Sequence, residues 1–142
     1  MDTQRDQSGT AKWGWGILLA ISVLVTLNGV GWFFIGPTLS TFEQDSGVPL
    51  AEFEGAYPTV AGLVSLQARN TAILLAGFGL LALAVALAGR RGSAGWPRWA
   101  GWAFVATLAG IGLSELAAGA GFGLFYLALG VAALAGKFLA RR

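Results

Sequence analysis

The chain has 142 residues, of which 56% are hydrophobic and 11% are charged, and its formal net charge is +2. An ordinary soluble domain carries about 25% charged residues, so this balance predicts a single membrane domain without a separate soluble one. The absence of cysteine and histidine excludes disulfides, thiol redox chemistry, cysteine-ligated metals and the commonest general base and haem ligand.

The first long apolar run follows a short polar segment, residues 1–11, for which we expect a disordered cytoplasmic tail. Residues 12–36 are predicted to form the first transmembrane helix, TM1, because about 20 apolar residues of helix cross the hydrocarbon core. The run is longer than the apolar centre of a signal peptide and has no small-residue cleavage site, so we expect it to be retained. Asn28 lies deep within it.

Residues 37–68 form the one long connection and are predicted to lie outside the cell. Long structureless loops are uncommon in compact domains, so we expect short helices here. Pro49 fits the first position of a short amphipathic helix on the membrane surface, in which Leu50, Phe53 and Tyr57 share a face. The loop also carries carboxylates whose spacing fits no calcium loop, which predicts a solvated acidic face. These are Glu43, Asp45, Glu52 and Glu54.

The second predicted span, TM2, covers residues 69–89, an apolar stretch that lies between Arg69 and the Arg90-Arg91 pair. No strong helix breaker follows Pro58, so an alternative start of this helix near residue 59 is compatible with the sequence. Residues 90–97 are predicted to form a cytoplasmic connection.

The stretch from Trp99 to Gly136 is too long for one membrane crossing and long enough for two. Its single charge is Glu115, and glycines follow it, so we place a turn between TM3 (98–116) and TM4 (119–138). Residues 139–142 complete the chain as a cytoplasmic tail. The sequence therefore predicts an all-α integral membrane protein, a four-transmembrane-helix bundle.

The orientation follows from the distribution of basic residues. With TM1 entering from the amino-terminal side, eight of the nine basic residues fall on that side. Only Arg69 falls on the other side, so the positive-inside rule predicts that both termini are cytoplasmic, in a bacterial inner (plasma) membrane. Tryptophans near the inner interface fit an aromatic belt. These are Trp13, Trp15, Trp96, Trp99 and Trp102.

Small residues recur at helical spacing and mark a candidate helix-packing face. TM3 carries the row Ala106, Gly110 and Ser114, TM4 begins with the pair Gly119 and Gly123, and TM2 contains Ala72 and Ala76. Within lipid, helices associate through close approach at small residues. This spacing predicts that the face packs against other helices of the bundle. The alternative is that another subunit docks on it, and the two interpretations are compatible.

Arg69, Glu115 and Asn28 are the candidate polar residues of the spans. We expect Arg69 and Glu115 near the outer boundary of the hydrocarbon, as a structural ion pair or as separate snorkelling side chains. The alternative is a polar site that faces a cavity and includes Asn28. For Asn28 itself, an interhelical hydrogen bond is favoured over a ligand contact.

No cofactor is required by the sequence. Aromatic residues toward the outer leaflet leave room for a lipid or a flat lipophile such as a quinone or carotenoid, although packing or lipid contact is favoured. They are Phe122, Phe125 and Tyr126 in TM4 with Trp32, Phe33 and Phe34 in TM1.

The outline, with a long first outer loop, Arg69 at the head of TM2 and glycine-rich helices, resembles that of DoxX-type small membrane proteins. The resemblance covers most of the chain, lies in the topology alone, and implies no activity, cofactor or site residue.

Two functional hypotheses follow. The first is a non-enzymatic accessory, structural or assembly subunit of a larger bacterial membrane complex of respiratory or photosynthetic type. Its partners would be membrane lipids and other membrane subunits. The alternative is a small homo-oligomeric transporter or lipophile-binding protein that uses Arg69, Glu115 and Asn28. Enzymatic activity is not expected, because the spans offer one carboxylate and no nucleophile–base pair. A nucleic-acid partner is not expected either.

Overall fold

The computed structural model describes residues 9–35, 46–92, 96–117 and 121–140. Over these residues the chain is helical and contains no strand, which confirms the all-α prediction. Most of the predicted disordered tail, residues 37–45 of the long loop and the predicted turn at residue 118 lie outside the described residues. The helices are α1 (Gly9–Ile35), α2 (Leu50–Ala56), α3 (Pro58–Arg90), α4 (Trp96–Ala117) and α5 (Gly123–Leu139).

Three of the described helices are long and apolar enough to cross a membrane. Their apolar segments are Gly9–Phe34, Pro58–Arg90 and Trp99–Ala117. Helix α5 is also apolar but has 17 residues, a length of about 25 Å. These lengths are consistent with a membrane protein, and α5 is close to the lower limit for a spanning helix, about 17 residues.

Two prolines define the start of α2 and of α3. Pro49 precedes α2 with φ −57° and ψ 130°, and its carbonyl oxygen accepts the N–H of Phe53 at 3.1 Å. Pro58 is the first residue of α3, where its missing N–H leaves no helical hydrogen bond unmade. Helix α2 has no buried residue, and the rings of Phe53 and Tyr57 lie 5.7 Å apart. The short helix is therefore an exposed element between the long helices.

Helix α3 has 33 residues and ends where Gly92 adopts a positive φ of 74°. The N–H of Gly92 donates to the carbonyl oxygen of Gly89 at 3.1 Å, which closes the last turn. Glycine reaches this left-handed conformation without the steric cost that a Cβ would add. The end of α3 is thus determined locally.

The chain divides into two compact units. Unit 1 comprises Met1–Leu24 with Leu80–Arg142, and unit 2 comprises Val25–Gly79. In unit 1, α4 and α5 pack closely where Gly112 meets Gly123: a Cβ on Gly123 would lie 2.6 Å from the carbonyl oxygen of Gly112. Farther along, Gly101 of α4 faces Lys137 of α5. The later residue of α4 contacts the earlier residue of α5, and the earlier residue of α4 contacts the later one of α5. These two helices are therefore antiparallel.

The other helix segments of unit 1 join the same packing. Gly14 of α1 lies against the backbone of Gly136 and Ala140, and Trp15 lies against Gly89 of α3. The start of α1, the end of α3, the start of α4 and the end of α5 therefore lie at one end of unit 1. We call it the basic end, since it carries the described cations Lys12, Arg90, Arg91 and Lys137.

In unit 2, α1 and α3 pack antiparallel with almost no side chain between their backbones. A Cβ on Gly29 would meet the backbone nitrogen of Ala76 and would lie 3.0 Å from the carbonyl oxygen of Ala72. A Cβ on Gly79 would lie 2.6 Å from the backbone nitrogen of Thr26. The small pair Ala72–Ala76, predicted to pack between helices, is confirmed as a packing surface within the chain.

Three hydroxyl groups of the long helices donate hydrogen bonds to the backbone of their own helix. Ser22 donates to the carbonyl oxygen of Leu18 at 2.7 Å, and Thr71 and Thr107 donate to the carbonyls four residues earlier at 2.9 Å. This arrangement supplies each hydroxyl with an acceptor inside its own helix. These side chains therefore do not need a partner helix to be compatible with an apolar environment.

Candidate functional site

The three predicted polar residues are divided between the two units. Asn28 is half-buried in α1 and Arg69 is exposed in α3, and both belong to unit 2. The packing of Gly29 against Ala72 places the segments that carry them side by side. Glu115 is half-buried in α4 and belongs to unit 1. The ion pair of Arg69 with Glu115, and a shared ligand site, stay predictions.

The predicted small-residue row of α4 points away from the packing inside the chain. Ala106, Gly110 and Ser114 are exposed, and no neighbouring helix or side chain lies within 4 Å of a Cβ built on Gly110. Gly119 lies outside the described residues, whereas Gly123 is buried against Gly112. The contact between α4 and α5 thus uses a different row, and the predicted row is left uncovered by the described part of the chain.

The most unusual polar group in unit 1 is Lys137, which is 1% exposed near the end of α5. Its Nζ lies 4.8 Å from the ring centroid of Trp15, a cation–π contact between α5 and α1. Its Nζ also lies 3.0 Å from the position that a Cβ would take on Gly101. The lysine therefore passes over the bare backbone of α4 and reaches the indole of α1.

Trp15 completes this cluster from the other side. It is 3% exposed, and a Cβ on Gly89 would lie 2.5 Å from Cε2 of the indole, so the ring packs directly on the backbone of α3. We call Trp15, Gly89, Gly101 and Lys137 the Trp–Lys cluster. It links residues of four helix segments at the basic end.

The contacts of the Trp–Lys cluster stabilise the packing of its helices. A buried ammonium is costly in an apolar environment, and the negative face of an indole lowers that cost. A desolvated cation–π pair contributes about 2 kcal/mol. The cluster thus fixes the relative register of the helix ends that meet at the basic end.

The sequence predicts Lys137 as one of the cytoplasmic charges and Trp15 as part of an aromatic belt, and it does not predict their contact. The signal that could have identified Lys137 is its spacing in α5. It continues the buried series Tyr126, Gly130 and Ala133 at intervals of three and four residues. A lysine on the buried stripe of a helix is expected to reach a partner helix.

The described residues include no group of three or more acidic side chains that could hold a metal ion. Comparison of the chain with protein-family models, with curated proteins and with solved structures finds no match. The likeness to DoxX-type proteins is therefore one of outline only.

Proposed function

We propose that the chain is a small non-enzymatic protein of a bacterial inner membrane that serves as an accessory or assembly subunit of a larger membrane complex, respiratory or photosynthetic in type. The observation that carries the proposal is the uncovered row Ala106, Gly110 and Ser114 on α4. Only 22% of the most apolar 18-residue stretch of this helix is buried inside the chain. Fluid acyl chains do not require small side chains, whereas the backbone of another helix does.

We further propose four spans with both termini in the cytoplasm, α5 being the fourth. The contact of Gly14 with Ala140 supports an even number of crossings, because it places the start of α1 and the end of α5 together. The exposed cations Lys12, Arg90 and Arg91 at this end support its cytoplasmic location. Arg69 alone is assigned to the outer side.

Compartment reporters test this topology. A reporter at residue 1 and one at residue 142 are expected to show a cytoplasmic location, and one inserted at residue 45 an external location, since the cations are retained inside. The measurement compares alkaline phosphatase activity with green fluorescence for each fusion. Termini in opposite compartments, or a cytoplasmic residue 45, would contradict the four-span topology.

The substitution Gly110→Leu tests the docking of a partner. The added side chain meets open space in the isolated chain, so the fold is expected to persist while a close-fitting partner helix is displaced. Overpacking costs about 1–3 kcal/mol, which predicts that the affinity for the partner falls by roughly 5- to 150-fold and that less partner co-purifies. The measurement is mild-detergent extraction followed by native electrophoresis and mass spectrometry of the particle.

Gly77→Leu is the matched control, since Gly77 of α3 is also exposed and has nothing within 4 Å of its Cβ. It is expected to leave the partner bound. Three results would count against the proposal: a wild-type chain that extracts as a free monomer, one that forms assemblies only with itself, and equal loss of partner in both variants.

A further inference from the structure

A groove of about 570 Å³ runs along α1 at the basic end of unit 1. Its floor is formed by small apolar residues, because Ala20 follows Gly16 by one helical turn and neither carries a large side chain. The groove combines positive charge, an indole and this apolar floor. Its main lining residues are Lys12, Trp13, Gly16, Ile17, Ala20 and Arg90.

The charged part of the groove suits a phosphate group. Lys12 and Arg90 come from α1 and α3 and are both exposed. A guanidinium group donates two parallel hydrogen bonds to phosphate oxygens, and an ammonium adds a compact charge. None of the described residues that line the groove is acidic. An anion is therefore the complementary occupant.

The remainder of the groove suits an acyl chain. Trp13 is 76% exposed, as expected for an indole at the level of lipid headgroups. Beyond it, Gly16, Ile17 and Ala20 continue toward the centre of the predicted span and offer no polar side chain. A charged entrance followed by an apolar floor matches an amphiphile and not a small soluble anion.

We infer that this groove binds an anionic phospholipid, with its phosphate between Lys12 and Arg90 and one acyl chain along Gly16 and Ala20. Basic pockets between membrane helices on the cytoplasmic side bind such headgroups. A zwitterionic lipid is a poorer occupant, because its own ammonium meets the same two cations. The inference rests on the proposed membrane location but not on any partner subunit.

Native mass spectrometry of the purified full chain in nonionic detergent, titrated with phosphatidylglycerol, tests the inference. Arg90→Gln is expected to weaken binding about fivefold, the effect of one cation near a headgroup. Arg91→Gln removes the same charge from the next residue, which is exposed and does not line the groove. It is expected to change binding by less than about twofold. Equal effects of the two variants would overturn the inference.

Gly16→Leu separates a lipid site from a simple anion site. Nothing lies within 4 Å of a Cβ on Gly16, so the leucine is expected to fill the groove without disturbing the fold. Weakened binding of phosphatidylglycerol supports the inference. Displacement of the lipid by soluble glycerol phosphate, or equally tight binding of phosphatidylcholine, would overturn it. The titration is done in detergent, so its result is independent of whether the chain assembles with other subunits.

Discussion

Replacing Trp15 with alanine is expected to lower the free energy of unfolding by about 3–5 kcal/mol, the range for a large buried aromatic side chain. The loss has two sources. Removal of the indole, which packs on Gly89, leaves a cavity where α1 crosses α3. In addition, the buried ammonium of Lys137 loses the ring that faces it at 4.8 Å. The measurement is unfolding in mixed micelles followed by far-ultraviolet circular dichroism.

Trp13 provides the control, since it lies two residues earlier and is 76% exposed. Trp13→Ala is expected to change the unfolding free energy by no more than about 0.5 kcal/mol. The double-mutant cycle of Trp15→Ala with Lys137→Met isolates the cation–π term, expected at about 0.5–2 kcal/mol. Equal losses for the two tryptophans, or additive effects in the cycle, would contradict the Trp–Lys cluster as described.

The second large effect is expected for Gly29→Ala in unit 2. The added methyl group would meet backbone atoms of Ala72 and Ala76, and backbone cannot rotate away as the end of a flexible side chain can. The helices must separate slightly, at a cost of about 1–3 kcal/mol. The loss is measured as a shift of the unfolding midpoint in the same micelles.

Gly31→Ala is the matched control in the same helix, because no atom lies within 4 Å of its added Cβ. Alanine favours a helix over glycine by about 0.5–1 kcal/mol, so this variant is expected to be equal to or more stable than the wild type. Stabilisation by both substitutions would show that α1 and α3 do not approach each other at Gly29.

Much of the helical framework could be predicted because its signals are local. The apolar stretches on either side of the polar loop exceed the length that a membrane requires, and α1 and α3 cover them. Pro58 has the geometry of a helix start, and no strong breaker follows it, so α3 begins there and continues to Arg90. Such features depend on neighbouring residues only, so composition and spacing are enough to find them.

The choice of packing face could not be predicted, because it depends on the register between helices. In α4, the row Ala106–Gly110–Ser114 and the position Gly112 are equally small, yet only Gly112 meets α5. Lys137 illustrates the same limit, since its spacing places it on the buried stripe of α5 but does not indicate which helices it contacts. Only the arrangement of Gly101 and Trp15 around it decides the outcome.

The close contacts of glycine with backbone at Gly29, Gly112 and Gly123 also bear on the heat capacity of this protein. In a bilayer, separating two such helices exposes their surfaces to acyl chains and not to water, so little apolar hydration accompanies the separation. The large heat-capacity increment of water-soluble proteins comes from that hydration. In a bilayer, association at these crossings therefore depends on atomic contact and on the entropy of the lipid, and cooling does not weaken it in the way that it weakens the hydrophobic core of a water-soluble protein.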